Sequence, residues 1–260
     1  MHLSRPRPTR WLLPRLLLLV LGAENARAEG LTSGLTLGGN LVVTSDYIYR
    51  GLSSSNNDAA FQADLHVASR GGTYLGVWSS TREGNIEPYA NYDIEIYLGH
   101  RFDMSDAWSA TVEGRGHYLV GGEQEISDDY QQVSAAVTYL DFWTVSVTAI
   151  PNAVRYWFVK RLGYYERLSR APAFAVDTSI QWLVHRGFFL TGGAGYYRVT
   201  GTGPGIEAAA GYAYGNVGIA YEHRRWRLDI GYYLTGEKAQ VLFPYPTANQ
   251  RFAGSIAWRF

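Results

Sequence analysis

The feature that most constrains this chain is a strict alternation of apolar and polar residues, repeated in short segments from about residue 35 to the C-terminus. Side chains of a β-strand point to opposite faces in turn, so a period of two marks strands with one apolar and one polar face. In residues 35–49 one phase reads Leu35, Leu37, Gly39, Leu41, Val43, Ser45, Tyr47, Tyr49; the other carries Thr36, Asn40, Thr44, Asp46 and then Arg50. Phe61, Ala63, Leu65 and Val67 alternate with Gln62, Asp64 and His66, and Tyr92, Ile94, Ile96 and Leu98 with Asp93, Glu95 and Tyr97. Trp108, Ala110, Val112 and Tyr118 oppose Glu113, Arg115 and His117. Short polar breaks fall at 71–72, 103–106, 140–141, 185–187 and 223–225; longer ones fall near 52–58, 82–91, 121–129, 152–172, 200–206 and 236–249. Long and short connections alternate, so eleven connections join twelve strands with both termini on the short-turn side. Tight turns at one end and longer loops at the other are the asymmetry of a transmembrane barrel.

Alternation alone does not say which face points inward, because a soluble sandwich buries its apolar face. Charge placement favours the barrel. The apolar phase carries one charged residue, Asp141 at a strand end. The other phase carries Asp46, Asp64, Asp93, Glu95, Glu113, Asp177, Glu222 and Asp229 with Arg50, Arg70, Arg101, Arg115, Arg227, Arg251 and Arg259. A charge facing lipid at mid-membrane costs about 2–4 kcal/mol, which accounts for the exclusion. Trp108, Trp143, Trp182, Trp226 and Trp258 lie on the apolar phase close to short turns, and Tyr47, Tyr49, Tyr92, Tyr118 and Tyr221 lie on it mostly near strand ends. Rings at both ends of an apolar band form the girdles expected where lipid meets water. Phe252, Gly254, Ile256, Trp258 and Phe260 alternate to a terminal phenylalanine. An amphipathic strand ending in this way resembles the signal that barrel-insertion machinery reads.

Mean hydropathy of −0.16 excludes a bundle of transmembrane helices, and 15% aromatic against 18% charged residues excludes wholesale disorder. The N-terminus accounts for the zero formal charge. Arg5, Arg7, Arg10 and Arg15 precede the apolar run Leu16 to Gly22 and the small-x-small motif Ala26-Arg27-Ala28, the layout of a signal peptide cleaved after residue 28. Those 28 residues hold five Arg and one Glu, so their removal leaves 18 basic against 22 acidic residues. The absence of cysteine is compatible with an oxidising compartment. The reading is therefore all-β: an antiparallel up-and-down transmembrane β-barrel of about 12 strands over residues 29–260, after a signal peptide at 1–28, destined for the bacterial outer membrane.

Three stretches carry a family resemblance: Ser45-Asp-Tyr-Ile-Tyr-Arg-Gly-Leu-Ser53, Tyr74-Leu-Gly-Val-Trp78 and Asp93-Ile-Glu-Ile-Tyr-Leu-Gly99. In order and spacing they resemble the first strands of the TorF-type porin family, and the Gly- and Tyr-rich strands from Phe188 to Leu234 are compatible with it. The resemblance implies an outer-membrane β-barrel and a channel. Residues 152–172 look longer than the connection usual in that family.

Catalytic chemistry finds little support. Lipid-hydrolysing barrels place His and Ser two apart on a strand, and none of His66, His100, His117, His185 or His223 has Ser two residues on. The histidines fall on separate strands with no repeated ligand spacing, so neither a metal nor a cofactor is expected. Gly201-Thr-Gly-Pro-Gly205 lacks the Lys-Ser/Thr of a phosphate loop and reads as an outer loop, and nothing points to nucleic acid.

The inward charges are then the functional surface. Asp46, Asp64, Asp93, Glu95, Arg101, Glu113, Arg115, His117, Asp177, Glu222, Arg227 and Asp229 are the expected lining of a pore for small solutes or ions, with cross-strand pairs such as Glu95 with Arg115 satisfying buried charge. The basic and aromatic connection at 152–172 has two readings. Either it caps the barrel against lipopolysaccharide phosphates, or it folds into the mouth with Arg155, Lys160 and Arg161 as a constriction. The alternative to a diffusion channel is a closed barrel with a structural or surface-binding role, and a lipid-modifying enzyme is third.

Overall fold

The computed structural model describes residues 34–82, 90–121, 128–159, 164–200, 209–239 and 247–260. Twelve strands form one closed antiparallel barrel: β1 (Leu35–Thr44), β4 (Ala60–Ser69), β5 (Thr73–Thr81), β6 (Tyr92–Asp103), β7 (Trp108–Val120), β8 (Tyr130–Tyr139), β9 (Trp143–Val159), β10 (Tyr164–His185), β11 (Phe188–Thr200), β12 (Ala209–His223), β13 (Trp226–Thr235) and β14 (Arg251–Arg259). A separate two-stranded hairpin, β2 (Ile48–Tyr49) and β3 (Leu52–Ser53), interrupts the order between β1 and β4.

Each barrel strand pairs with its sequence neighbour, and β14 returns to β1 to remove the last free edge. The seam runs from Asn40 opposite Arg259 to Thr44 opposite Ser255, and Phe260 exchanges both backbone hydrogen bonds with Gly39 at 3.1 Å. A Cβ on Gly39 would lie 2.7 Å from the Phe260 ring and closer still to the Asp64 carbonyl oxygen, so glycine is what lets the terminal ring lie across the seam.

The apolar phase faces outward. Leu41, Phe61, Leu65, Leu75, Val77, Ile96, Leu98, Val112, Val147, Val176, Ile230 and Phe252 are all exposed, while the intervening residues turn inward and are mostly buried. A water-soluble protein would reverse this arrangement. Trp108, Trp143, Trp182 and Trp226 are exposed beside the short turns, with Trp258 opposite Trp226. Tyr139 packs against Trp108 at 4.8 Å and Phe142 lies edge-on to Trp182 at 6.5 Å, so aromatic rings pair along this rim. The polar edge of one ring is satisfied across strands by Trp143 Nε1, which donates to Thr178 Oγ1 at 2.8 Å.

Two sequence expectations change. The first strand stops at Thr44 instead of continuing to Tyr49. The described part of the 152–172 segment is strand: β9 runs on to Val159 and β10 begins at Tyr164, so Arg155 lies within β9, opposite Leu168. The pairing slips between Leu168 and Ala171 and again between Ala171 and Ala173, opposite Ala153 and Ile150, and Pro151 and Pro172 sit in these irregularities. A bulge leaves residues out of the ladder, so a proline there sacrifices no hydrogen bond and the strands resume beyond it. Lys160 and Arg161 lie outside the described residues.

Candidate functional site in the barrel lumen

Alternation carries the charged residues of every strand to the inner face, and cross-strand register decides which of them meet. On β6 and β7 the guanidinium of Arg115 bridges Glu95 and Glu113, with Nε donating to Glu113 Oε1 at 2.9 Å and its plane 4.7 Å from the Tyr97 ring centroid. Tyr74 donates to the other oxygen of Glu113 at 3.0 Å. Asp64 on β4 accepts from Tyr97 at 2.5 Å and lies 2.7 Å from His66 Nδ1. Towards the short-turn rim, Arg227 forks onto both oxygens of Asp229 and reaches Glu222, each contact at 2.7 Å, and Arg259 lies 3.3 Å from Glu222. Arg101 sits at that rim, half-buried, pairing with Asp103 at 3.1 Å and with Asp141 of the next turn at 3.3 Å. On β10, Asp177 accepts from Tyr214. These paired, mostly buried carboxylates and guanidiniums tolerate the interior because each has a hydrogen-bonded partner.

The connection from β1 to β4 folds inward across this lumen. Its turn places Arg50 at φ 49° and Gly51 at φ 78°, the positive pair of a tight two-residue hairpin turn. The base is fixed by Asp46, which accepts from Ser53 at 2.5 Å, Ser55 at 3.0 Å and Arg251 of β14 at 3.1 Å. Ser45 N donates to the Gly254 carbonyl at 2.9 Å. Beyond the base, Tyr47 donates to Asp93 Oδ2 at 3.1 Å and packs 5.4 Å from Trp78. Tyr49 and Arg50 both donate to Gln132 Oε1 on β8, at 3.0 and 3.2 Å. The Arg50 guanidinium lies 5.6 Å from the Tyr197 ring on β11, and Thr235 on β13 donates to the Gly51 carbonyl. Leu52 packs against a buried cluster that includes Ile150, Tyr197, Tyr212 and Tyr214. The hairpin thus touches walls on opposite sides of the barrel. Burial pushes the Tyr47 phenol well above its usual range, with Asp93 and Glu95 adding to the rise, so it remains a donor. Beside Gly51, a cavity of about 20 Å³ bordered by Ser146, Asp177, Tyr214 and Asn216 has room for about one water.

The structure therefore places the expected residues unequally. Asp64, Asp93, Glu95, Glu113, Arg115, His117, Asp177, Arg227 and Asp229 are buried on the inner face, and Glu222 is half-buried there. Asp46 is inside too, but as the anchor of the hairpin and not as part of the wall. Tyr47 and Tyr49 do not join the outer girdle, because the strand ends before them and the hairpin carries both rings into the lumen. The inward segment is residues 45–58, with Tyr47, Tyr49 and Arg50 as its contacts. Ser45–Tyr49 continues the β1 alternation and so hides the segment; its signal in the sequence is Arg50-Gly51 flanked by Ile48-Tyr49 and Leu52-Ser53, a tight-turn pattern. By strand, the sequence also separates His117 from any ligand set. Register reverses that: Glu95 lies directly opposite His117, with Asp93 two residues away on the same face.

A closed twelve-stranded barrel with an apolar exterior, a charged interior and an inward hairpin defines a porin-like fold. Solved structures sharing it include the NanC porin, at 12% identity and a TM-score of 0.52 over 85% of this chain and 98% of that one. The KdgM porin shares 9% identity at a TM-score of 0.50 over 86% and 99%. The chain belongs to the Gcw_chp family, described as a bacterial protein of unknown function, whose model matches residues 28–200. No curated protein matches the sequence.

Proposed function

We propose that this protein is an outer-membrane channel for passive diffusion of small polar solutes or ions, narrowed by its own β2–β3 hairpin. The observation that carries the reading is the hairpin itself, which crosses a charged lumen inside a barrel whose apolar face suits lipid. The Ser45–Ser53 stretch that resembles the TorF-type porins forms this hairpin, which supports a role in conduction. The N-terminal signal pattern and the terminal Phe260 strand fit export and insertion by the barrel-insertion machinery, with lipopolysaccharide around the outer loops.

Planar-bilayer conductance of the purified protein tests the reading, together with a variant in which residues 46–57 are replaced by a short Gly/Ser linker. Small, stable openings in the natural protein and several-fold larger ones in the variant are expected. If neither form conducts, the channel is excluded. The second reading, a sealed barrel with a structural or surface-binding role, draws on the near-complete burial of Tyr47, Arg50 and Ser55 against the wall. It requires conductance only after the hairpin is removed, and no liposome swelling with graded sugars before.

A further inference from the structure

On the inner wall, under the hairpin, three side chains converge without completing one another. Asp93 and Glu95 project from β6 and His117 from β7, all three buried, and one donor atom from each lies within 4.8 Å of the other two. His117 Nδ1 is 3.2 Å from Glu95 Oε1 and 3.7 Å from Asp93 Oδ1. Yet neither ring nitrogen of His117 makes a well-formed hydrogen bond, and Asp93 Oδ1 accepts none either. A buried polar atom without a hydrogen bond is costly, and two that face one another here, Nδ1 of a histidine only 1% exposed and Asp93 Oδ1, would both be satisfied by one shared cation.

We propose that Asp93, Glu95 and His117 form a binding site for a divalent transition-metal cation of the zinc type. Tetrahedral zinc, with bonds of about 2.0–2.1 Å to nitrogen and oxygen, sets its donors roughly 3.3 Å apart, and the two distances at Nδ1 bracket that spacing. Imidazole with two carboxylates is a donor set such ions accept, and three protein ligands leave one position free. The outer supports of both carboxylates are also in place. Each carboxylate is held by its other oxygen: Glu95 Oε2 by Arg115, and Asp93 Oδ2 by Tyr47 at 3.1 Å with Arg82 at 3.8 Å. That leaves Oε1 and Oδ1 turned to the histidine, while the imidazole is stacked 4.1 Å from the Tyr130 ring at an interplanar angle of 14°. Contacts of this kind orient ligands and commonly alter metal affinity about 10–100-fold. Through Tyr47, an ion here would also be connected to the hairpin. The site is independent of whether the lumen conducts, so binding is measured directly.

The experiment uses tag-free protein refolded in detergent and treated with chelator. Zinc binding is followed by isothermal titration calorimetry, and retained metal is measured by mass spectrometry after gel filtration. The expected result is stoichiometric zinc in the natural protein, with affinity lowered at least about tenfold in His117→Ala and in Asp93→Asn. His100→Ala, at the opposite end of β6, should bind as the natural protein does. Heat-modifiable gel migration verifies that each variant is folded, and cobalt substitution provides a visible spectrum that His117→Ala should lose. Absence of stoichiometric zinc, or equal binding by folded His117→Ala, would overturn the site and leave an imidazolium between two carboxylates.

Discussion

At the scale of single residues, Arg50 and Gly51 show how local strain is held for a purpose. A non-glycine residue at positive φ costs about 1–2 kcal/mol, and Arg50 sustains it because its guanidinium is held by Gln132 and lies 4.7 Å over Tyr49 and 5.6 Å from Tyr197. Gly51 has no such latitude, since a Cβ would fall 2.7 Å from Tyr214 Cβ and 3.0 Å from Thr235 Oγ1. Gly51→Val combines that clash with a β-branched side chain at positive φ. It is expected to loosen the hairpin by at least ~1–2 kcal/mol while leaving the barrel ladder untouched. Single-channel recordings should show larger and noisier openings, with unchanged heat-modifiable migration of the folded barrel.

At the scale of elements, the connection after β1 takes a place in the lumen that the alternation did not mark. Residues 152–159 and 164–172 continue the barrel wall as the paired extension of β9 and β10, whereas the quieter connection after β1 enters the lumen. Strand length makes the point. A tilted transmembrane strand needs about 9–11 residues. β5 has 9, while β10 has 22, so the far part of β9–β10 stands beyond the hydrocarbon as a two-stranded ribbon. Shortening that ribbon by removing residues 156–167 and closing it with a tight turn is expected to leave conductance essentially unchanged. A large change in the same bilayer recording would return the constriction to this segment, with Arg155 the first residue to examine.

At the scale of the whole molecule, lumen charge is what would set the selectivity of the proposed channel. Arg115, Arg227 and Arg251 are each tied to carboxylates, which cancels much of the field on both signs. Asp64 and Asp177 are held instead by Tyr97, His66 and Tyr214, with no arginine in ion-pair range among the described residues. Their charge remains as a net acidic bias, so a weak cation preference is expected in reversal potentials under a salt gradient. The double variant Asp64→Asn, Asp177→Asn should move the reversal potential towards zero, and an anion preference in the natural protein would contradict the assignment. The strand number, the inward face of the charges within the barrel strands and the Glu95–Arg115 pair were legible in the sequence, because period-two alternation and turn spacing are local properties that dictate a face for each side chain. The sequence could not show that Tyr47 and Tyr49 leave the wall, that Pro151 and Pro172 occupy bulges, or that Asp93, Glu95 and His117 converge. Those depend on register and on which surface a departing segment meets across the lumen, and only closure of the barrel brings such distant residues together.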